Sequence, residues 1–387
     1  MAGNTQQAEI AAAIHRAKHQ GVFCVSGGGS AAIDQLLSVP SASKTVLECS
    51  IPYSAASMQA YLGRTPISAV SSETAAQMAM VAYQRANALS PETAPSNFGL
   101  SCTAALATDR IRKGSDRAYI AIQSQQSTLI QTLEFKTPKS TASLNDAQQP
   151  TLRRRQEETL SQAILSMLGE FTAASVPQEA MLNDTYETSL ERVDAPIGWQ
   201  QIMTQIEGST LFPKNPACIF PGAFDPPHAG HAKIRNIAEN VTGRDTYFEL
   251  SIHNVDKPSL DYIEISKRLD ALAPFGPVVL TNAPTFVQKA RLFPGAIFAV
   301  GVDTLERIDA SRYYGTPAAK DAAIDELARL GVAFLVFGRL MDDRFITLED
   351  LKLSSTLKTL CEPLSEQRFR EDISSSAIRA ASQAKRK

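Results

Sequence analysis

The chain has 387 residues, 44% of them hydrophobic and 20% charged, with a formal net charge of −2. That length suits two domains or one large one, the composition is that of an ordinary globular protein, and the charge gives no reason to expect a nucleic-acid partner. No apolar run approaches about 18 residues, so no membrane span is expected.

The start, Met1 to Gln7, is polar and lacks a signal-peptide core. Cys24, Cys49, Cys102, Cys218 and Cys361 lie far apart, without a Cys-x-x-Cys pair, and read as free thiols rather than disulfides or zinc ligands. A reducing, cytoplasmic location is the expectation.

In chain order, Ala8 to His19 has helical spacing; His15 and His19 have no acidic partner to complete a metal set and read as a surface face. Gly21 to Val25 predicts a strand, Ser26-Gly27-Gly28-Gly29-Ser30 a glycine-rich turn, and the residues through Leu36-Leu37 a helix. Thr45 to Ile51 reads as a strand, Tyr53-Ser54 as the start of a helix ending at Leu62-Gly63, and Ser71 to Ala86 as a long helix capped by Ser72. Asn97 to Thr103, Arg117 to Gln123 and Ser127 to Phe135 read as strands, the last two paired. Leu152 to Leu168 is a helix with a charged start, Arg153-Arg154-Arg155-Gln156-Glu157-Glu158. Such alternation argues α/β layers.

Residues 8–170 resemble the C-terminal domain of the CinA (competence/damage-inducible) family, whose activity is nicotinamide mononucleotide deamidation. The family's Glu-Ser-Cys-Thr-Gly-Gly corresponds to Val25-Ser26-Gly27-Gly28-Gly29-Ser30, which stands eight residues before Val39-Pro40 as in the family. Its Val-Thr-Tyr-Ser-Asn corresponds to Ile51-Pro52-Tyr53-Ser54-Ala55, and its Gly-Ala-Val-Ser-Glu to Ser68-Ala69-Val70-Ser71-Ser72. The resemblance implies a nucleophilic Ser26, a partnering Tyr53 and a late arginine at Arg154 or Arg155. Two of the departures from the family bear on the site. The threonine of the serine loop is Gly28, and the substrate-holding Thr-Gly-Ile-Ala-Gly-Pro is Thr103-Ala104-Ala105-Leu106-Ala107-Thr108. The lost glycines remove close backbone approach and an anion cradle, which leaves either a deamidase or a scaffold that has lost its site.

Thr172 to Asn215 reads as an interdomain segment with local structure, parts of which can belong to either domain; its Trp199 is expected to pack at an interface rather than to act. From Ala217 the alternation resumes. Strands are predicted at Ala217 to Phe220, Thr246 to Ile252, Val278 to Thr281, Ala296 to Val300 and Val332 to Phe337. Helices are predicted at Ile263 to Leu272, Thr285 to Leu292, Lys320 to Leu330 and Ser374 to Ser382. This predicts a parallel, doubly wound sheet with ligands beyond the carboxyl ends of its strands.

The chemistry concentrates after the first of those strands, in Pro221-Gly222-Ala223-Phe224-Asp225-Pro226-Pro227-His228-Ala229-Gly230-His231. Strand, glycine turn and helix start place free backbone N–H groups at the positive end of a helix, where a phosphate binds. His228 and His231 put two imidazoles beside that anion, and Gly230 permits close approach. A bare His-x-Gly-His is a weak signal, since such pairs often cap helices. The longer Gly-x-Phe-Asp-Pro-x-His-x-Gly-His resembles the signature of the HxGH nucleotidyltransferase superfamily, which includes nicotinamide and nicotinate mononucleotide adenylyltransferases, phosphopantetheine adenylyltransferase and cytidylyltransferases. Three further segments fit it. Asn254 and Lys257 follow the second strand, where the family carries substrate contacts. Gly301-Val302-Asp303 looks like the Gly-x-Asp that contacts the nucleotide. Ile373-Ser374-Ser375-Ser376-Ala377-Ile378-Arg379 resembles the late Ile-Ser-Ser-Thr-x-Ile-Arg, in which serines cap a helix and donate to phosphate and the arginine neutralises a triphosphate.

The resulting expectation is an α/β protein of two domains. A CinA-like layered domain (1–172) and a segment at 173–215 precede a Rossmann-like nucleotidyltransferase domain (216–387). The resemblance implies transfer of an adenylyl group from ATP, with Mg²⁺, to a pyridine mononucleotide. His228 and His231 are the catalytic pair. Gly222, Ala223, Phe224, Gly230, Asn254, Lys257, Gly301, Asp303, Ser375, Ser376 and Arg379 bind ligand. Ser26, Tyr53 and Arg154 or Arg155 would serve a deamidase. A homo-oligomer is expected. Another phosphorylated acceptor, or a nucleotide-binding sensor without turnover, remains open.

Overall fold

The computed structural model describes residues 2–108, 114–136, 148–174, 185–213, 215–253, 258–341, 344–370, 375 and 378–379. The chain forms two compact units, Met1–Pro196 with Asp256–Ile263, and Ile197–Val255 with Glu264–Lys387.

The first unit contains α1 (Ala2–Arg16), β1 (Gln20–Ser26), α2 (Ser30–Leu37), β2 (Val46–Ser50), α3 (Ala55–Leu62), α4 (Ser72–Leu89), β3 (Asn97–Ala105), β4 (Arg117–Ser124), β5 (Ser127–Phe135), α5 (Gln148–Phe171) and β6 (Tyr186–Asp194). Its sheet runs β2-β1-β3-β4-β5-β6. The β2-β1-β3 part is parallel, and β3 to β6 form an antiparallel meander. Leu100, Ile120 and Leu133 pack with Ile14 of α1, Leu36 of α2 and Ile164 of α5. Alanines of α4 lie against other sheet residues, among them Ala121 and Ile130, so helices cover the sheet on two faces. Gly99 permits the close approach of α4, since a Cβ there would stand 2.1 Å from the Ala79 carbonyl oxygen.

Three expectations change here. His15 is buried, with Nδ1 2.9 Å from Thr45 Oγ1 and Nε2 3.0 Å from the Leu36 carbonyl; its polar partners let the ring enter the core, and burial lowers its pKa. The long helix is capped by Ser71, whose hydroxyl accepts from Thr74 N at 3.1 Å. Within the segment expected to link domains, β6 is an edge strand of the first sheet; its residues are mostly exposed, so no apolar alternation announced it. All five cysteines are free thiols.

The second unit contains α6 (Ile197–Met203), β7 (Cys218–Pro221), α7 (Ala229–Thr242), β8 (Thr246–Ser251), α8 (Tyr262–Leu272, of which Tyr262 and Ile263 count with the first unit), β9 (Val278–Thr281), α9 (Phe286–Leu292), β10 (Ile297–Gly301), α10 (Val302–Ile308), α11 (Pro317–Arg329), β11 (Ala333–Phe337), the hairpin β12 (Arg339–Met341) and β13 (Arg344–Ile346), α12 (Ser355–Thr359) and β14 (Cys361–Pro363). Its main sheet runs β14-β11-β10-β7-β8-β9, every pairing parallel. Phe334 and Val336 join one core while Leu335 and Phe337 join the other, as strands covered on both faces require. From β7 the chain moves outward to β8 and β9; from β10 it moves the other way to β11 and β14. The connections leaving the carboxyl ends of β7 and β10 therefore run in opposite directions, which makes this the topological switch point of the sheet, where ligands of such sheets bind.

Candidate functional site

The loop after β7 is shaped by aromatic packing. Phe224 has a positive φ of 48°, unusual for a bulky residue, and its ring is held edge-on by Phe220 at 5.3 Å, Phe248 at 5.1 Å and His231 at 5.1 Å. The ring lies over Gly222, where a Cβ would meet it at 2.6 Å. That contact explains the Gly-x-Phe spacing: glycine makes room for the ring, and the ring turns the backbone.

His228 caps α7 in extended conformation, with φ −149°. Its backbone N–H donates to His231 Nδ1 at 3.1 Å, and the two imidazoles stack with centroids 3.8 Å apart. Burial, and secondarily the charge of His228, lowers the pKa of His231 to about 4. A neutral His231 whose Nδ1 accepts must carry its proton on Nε2, so the pair offers a fixed donor at the start of α7.

The late serine and arginine reach the same loop. Ser375 Oγ donates to the Pro226 carbonyl at 2.9 Å. Arg379 Nη1 donates to the Asp225 carbonyl and lies 3.7 Å from Asp225 Oδ2. After β10, Asp303 Oδ2 pairs with Arg339 Nη1 at 3.2 Å. Gly301 gives that carboxylate room, since a Cβ there would meet Asp303 Oδ1 at 2.6 Å. Gly230 is buried in the first turn of α7. Ala223 presents its carbonyl to Arg268 Nη1 at 3.0 Å; Arg268, on α8, belongs to none of the sequence motifs. Asn254, Lys257 and Ser376 lie outside the described residues.

In the first unit the glycine turn follows β1. Gly27 has φ +80° and sits where a Cβ would be 2.0 Å from the Ala104 carbonyl oxygen. Ser26 Oγ donates to the Pro52 carbonyl at 3.0 Å, while Tyr53 is 69% exposed. Of the arginines opening α5, Arg153 reaches the turn, donating to the Gly27 carbonyl at 2.7 Å and the Ala107 carbonyl at 3.3 Å. Arg154 pairs along the helix with Glu158 at 3.0 Å; Arg155 is exposed. Glu157 was not singled out by the sequence, yet its carboxylate accepts from Gly29 N at 2.9 Å, Ala31 N at 3.2 Å and Ser30 Oγ at 3.2 Å. It occupies the start of α2. Beside it lies a cleft of about 890 Å³ lined in part by Val25, Gly27, Gly28, Tyr53, Arg153 and Glu157.

Comparison with known proteins adds the following. No curated protein sequence matches the chain. Among solved structures, the competence/damage inducible protein CihA from Agrobacterium tumefaciens is 16% identical, with 43% of this chain and 94% of that one covered and a TM-score of 0.31. A CinA superfamily protein from Klebsiella pneumoniae is 12% identical over 43% of this chain and 98% of that one, with a TM-score of 0.32. The corresponding protein from Escherichia coli is 13% identical over 43% and 87%, with a TM-score of 0.30. Residues 219–381 match the family model described as cytidylyltransferase-like, so the second unit carries a cytidylyltransferase-like domain around the loop that holds His228 and His231.

Proposed function

We propose that the second unit transfers an adenylyl group from ATP to a pyridine mononucleotide, releasing pyrophosphate. The observation that carries this reading is the meeting of Ser375 and Arg379 with the Pro226 and Asp225 carbonyls, two and three residues before His228. A triphosphate beyond the carboxyl ends of β7 and β10 would lie among two imidazoles, a serine hydroxyl, a guanidinium and the N–H groups opening α7.

In this reading the acceptor's phosphate oxygen attacks the α-phosphorus of ATP and the bond to the bridging oxygen breaks, so pyrophosphate leaves with that electron pair. No covalent enzyme intermediate is needed; positioning and charge stabilisation carry the step. His231 donates from Nε2 to a non-bridging oxygen where charge grows, His228 holds the neighbouring oxygen, and Arg379 and Ser375 hold the departing phosphates. Among the described residues no three His, Cys, Asp or Glu side chains gather as a metal cage. Mg²⁺ would be carried by triphosphate oxygens and water, supplying charge neutralisation.

The family description favours a second reading, cytidylyl transfer from CTP. The test is pyrophosphate release from MgATP or MgCTP with nicotinamide mononucleotide, nicotinate mononucleotide, phosphopantetheine and sugar phosphates as acceptors. Release with ATP and a pyridine mononucleotide, lost by about 10²–10³ in His231→Ala, is expected. Release only with CTP selects the second reading, and no release with any pair refutes both.

The first unit is proposed to retain a ligand cleft. Nicotinamide mononucleotide hydrolysis there would show as ammonia release above that of Ser26→Ala; equal rates would end the deamidase reading.

A further inference from the structure

Two cations reach Asp225. Arg379 Nη1 lies 3.7 Å from its Oδ2, and Arg268 Nη2 lies 4.0 Å from the same oxygen. Arg268 is only 15% exposed. It is braced by Glu264 at 2.7 Å and tied to the loop through the Ala223 carbonyl at 3.0 Å. Arg379, which also donates to the Asp225 backbone carbonyl, is more exposed, at 40%. One carboxylate thus contacts a fixed guanidinium and a more exposed one at the place where the proposed function puts a triphosphate.

A carboxylate beside a bound triphosphate is a liability, since like charges repel in a partly desolvated crevice. It is tolerated if its charge is satisfied from elsewhere. We propose that Asp225 is a placeholder anion: it holds Arg379 at the loop before a triphosphate arrives, and Arg268 takes up the carboxylate when Arg379 turns to the phosphates. Arg268 is then a positioning residue that acts through Asp225. The inference rests on the nucleotide-site reading of this loop, though not on turnover.

The two sides predict opposite mutational signs. Asp225→Asn removes both the competitor for Arg379 and the repulsion, so the nucleotide binds more tightly. Arg268→Gln leaves Asp225 with Arg379 as its remaining cation among the described residues, so the nucleotide binds more weakly. Because the groups are partly exposed, each effect is about 2- to 5-fold. If Arg268 acts through Asp225, its loss matters far less once Asp225 is Asn, and the pair is non-additive. Arg268→Lys keeps the charge and recovers most of the wild-type affinity.

The test is calorimetric titration of MgATP and MgCTP into the full-length protein and the four variants Asp225→Asn, Arg268→Gln, Arg268→Lys and the Asn/Gln double, each checked by circular dichroism for an intact fold. Tighter binding in Asp225→Asn, weaker binding in Arg268→Gln and near recovery in the double support the proposal. Weaker binding in Asp225→Asn, or an equal Arg268→Gln penalty in both backgrounds, overturns it and leaves a purely structural loop contact. This pattern without pyrophosphate release in any protein would sink the transferase reading and leave the placeholder standing. Nucleotide binding by none of them would sink both.

Discussion

His231 Nδ1 accepts the backbone N–H of His228 at 3.1 Å, and this bond ties the protonation of one imidazole to the start of α7. With burial as the main cause, His231 has a pKa of about 4, below the ordinary histidine value near 6.5. The unfolded chain therefore binds a proton first as pH falls, so the contribution is present above about 6.5 and is lost between about 6.5 and 4. Thermal melts from pH 8 to pH 4 should show the midpoint falling in that window. His15 and His253, also lowered by burial, contribute in the same direction. His231→Asn should reduce the fall; an unchanged pH profile would contradict the assignment.

A bound anion should reverse that shift. Phosphate oxygens beside the ring favour its charged form, so pyrophosphate at saturating concentration should raise the His231 pKa. Histidine proton resonances followed by NMR between pH 4 and pH 8 read this directly. A titration unmoved by pyrophosphate would place the anion elsewhere.

Gly222 and Phe224 form the mechanical core of the loop. Adding a Cβ at Gly222 brings it to 2.6 Å from the Phe224 ring, and Phe220, Phe248 and His231 block the ring's retreat. Gly222→Ala should cost about 1–3 kcal/mol, the usual range for overpacking, measured by urea denaturation. Adding Phe224→Leu should restore part of it, because the smaller side chain frees the space. A neutral Gly222→Ala would mean the loop relaxes freely.

Glu249 and Lys289 form a pair that is 1% and 6% exposed in their side chains, at 2.7 Å. Lys289 Nζ also donates to the Ala283 carbonyl at 2.7 Å, and Thr281 donates to the same carboxylate. The pair ties α9 to β8 and β9, next to the strand end from which the Glu249 carbonyl accepts Gly222 N at 3.1 Å. Lys289→Met strands a buried carboxylate and should cost about 3–5 kcal/mol. The Glu249→Gln/Lys289→Met double should recover a good part of that in urea melts, and a penalty under about 1 kcal/mol for the single variant would show that water reaches the site.

Apolar runs such as Phe298 to Val300 and Phe334 to Phe337 announced their strands, because a strand covered on both faces has to be apolar throughout. The Gly-x-Phe-Asp-Pro loop was legible because its geometry is local. What escaped depended on partners far along the chain. His15 reads as surface until Thr45 and Leu36, 30 and 21 residues away, supply its hydrogen bonds. Three consecutive arginines at 153–155 are equivalent in sequence; the phase of α5 against the turn after β1 selects Arg153. Arg268 shows in sequence only as a helical neighbour of Glu264, four residues away, and nothing local says that it reaches the Ala223 carbonyl. Ser71 and Ser72 are adjacent equals, and the cap goes to the one whose backbone is still extended.

Glu157 is the residue whose role in the first unit is most open to a direct measurement. Its carboxylate satisfies backbone donors of Gly29 and Ala31 from 128 and 126 residues away, standing in for the side-chain cap that Gly29, as N-cap, cannot supply. A Cβ at Gly28 would come within 3.0 Å of Glu157 Oε2 and 2.7 Å of Leu106, so the missing side chain at 28 and the reach of the carboxylate belong together. Glu157→Ala leaves two N–H groups and the Ser30 hydroxyl without this acceptor and should lower stability by about 1–2 kcal/mol, the scale of a lost cap. Glu157→Gln keeps one acceptor oxygen without the charge and should fall between. Hydrogen exchange adds the local readout: the Gly29 and Ala31 amides should exchange faster in Glu157→Ala while those of β4 keep their protection. Unchanged exchange at Gly29 and Ala31 would mean that water or another side chain replaces the carboxylate at no cost.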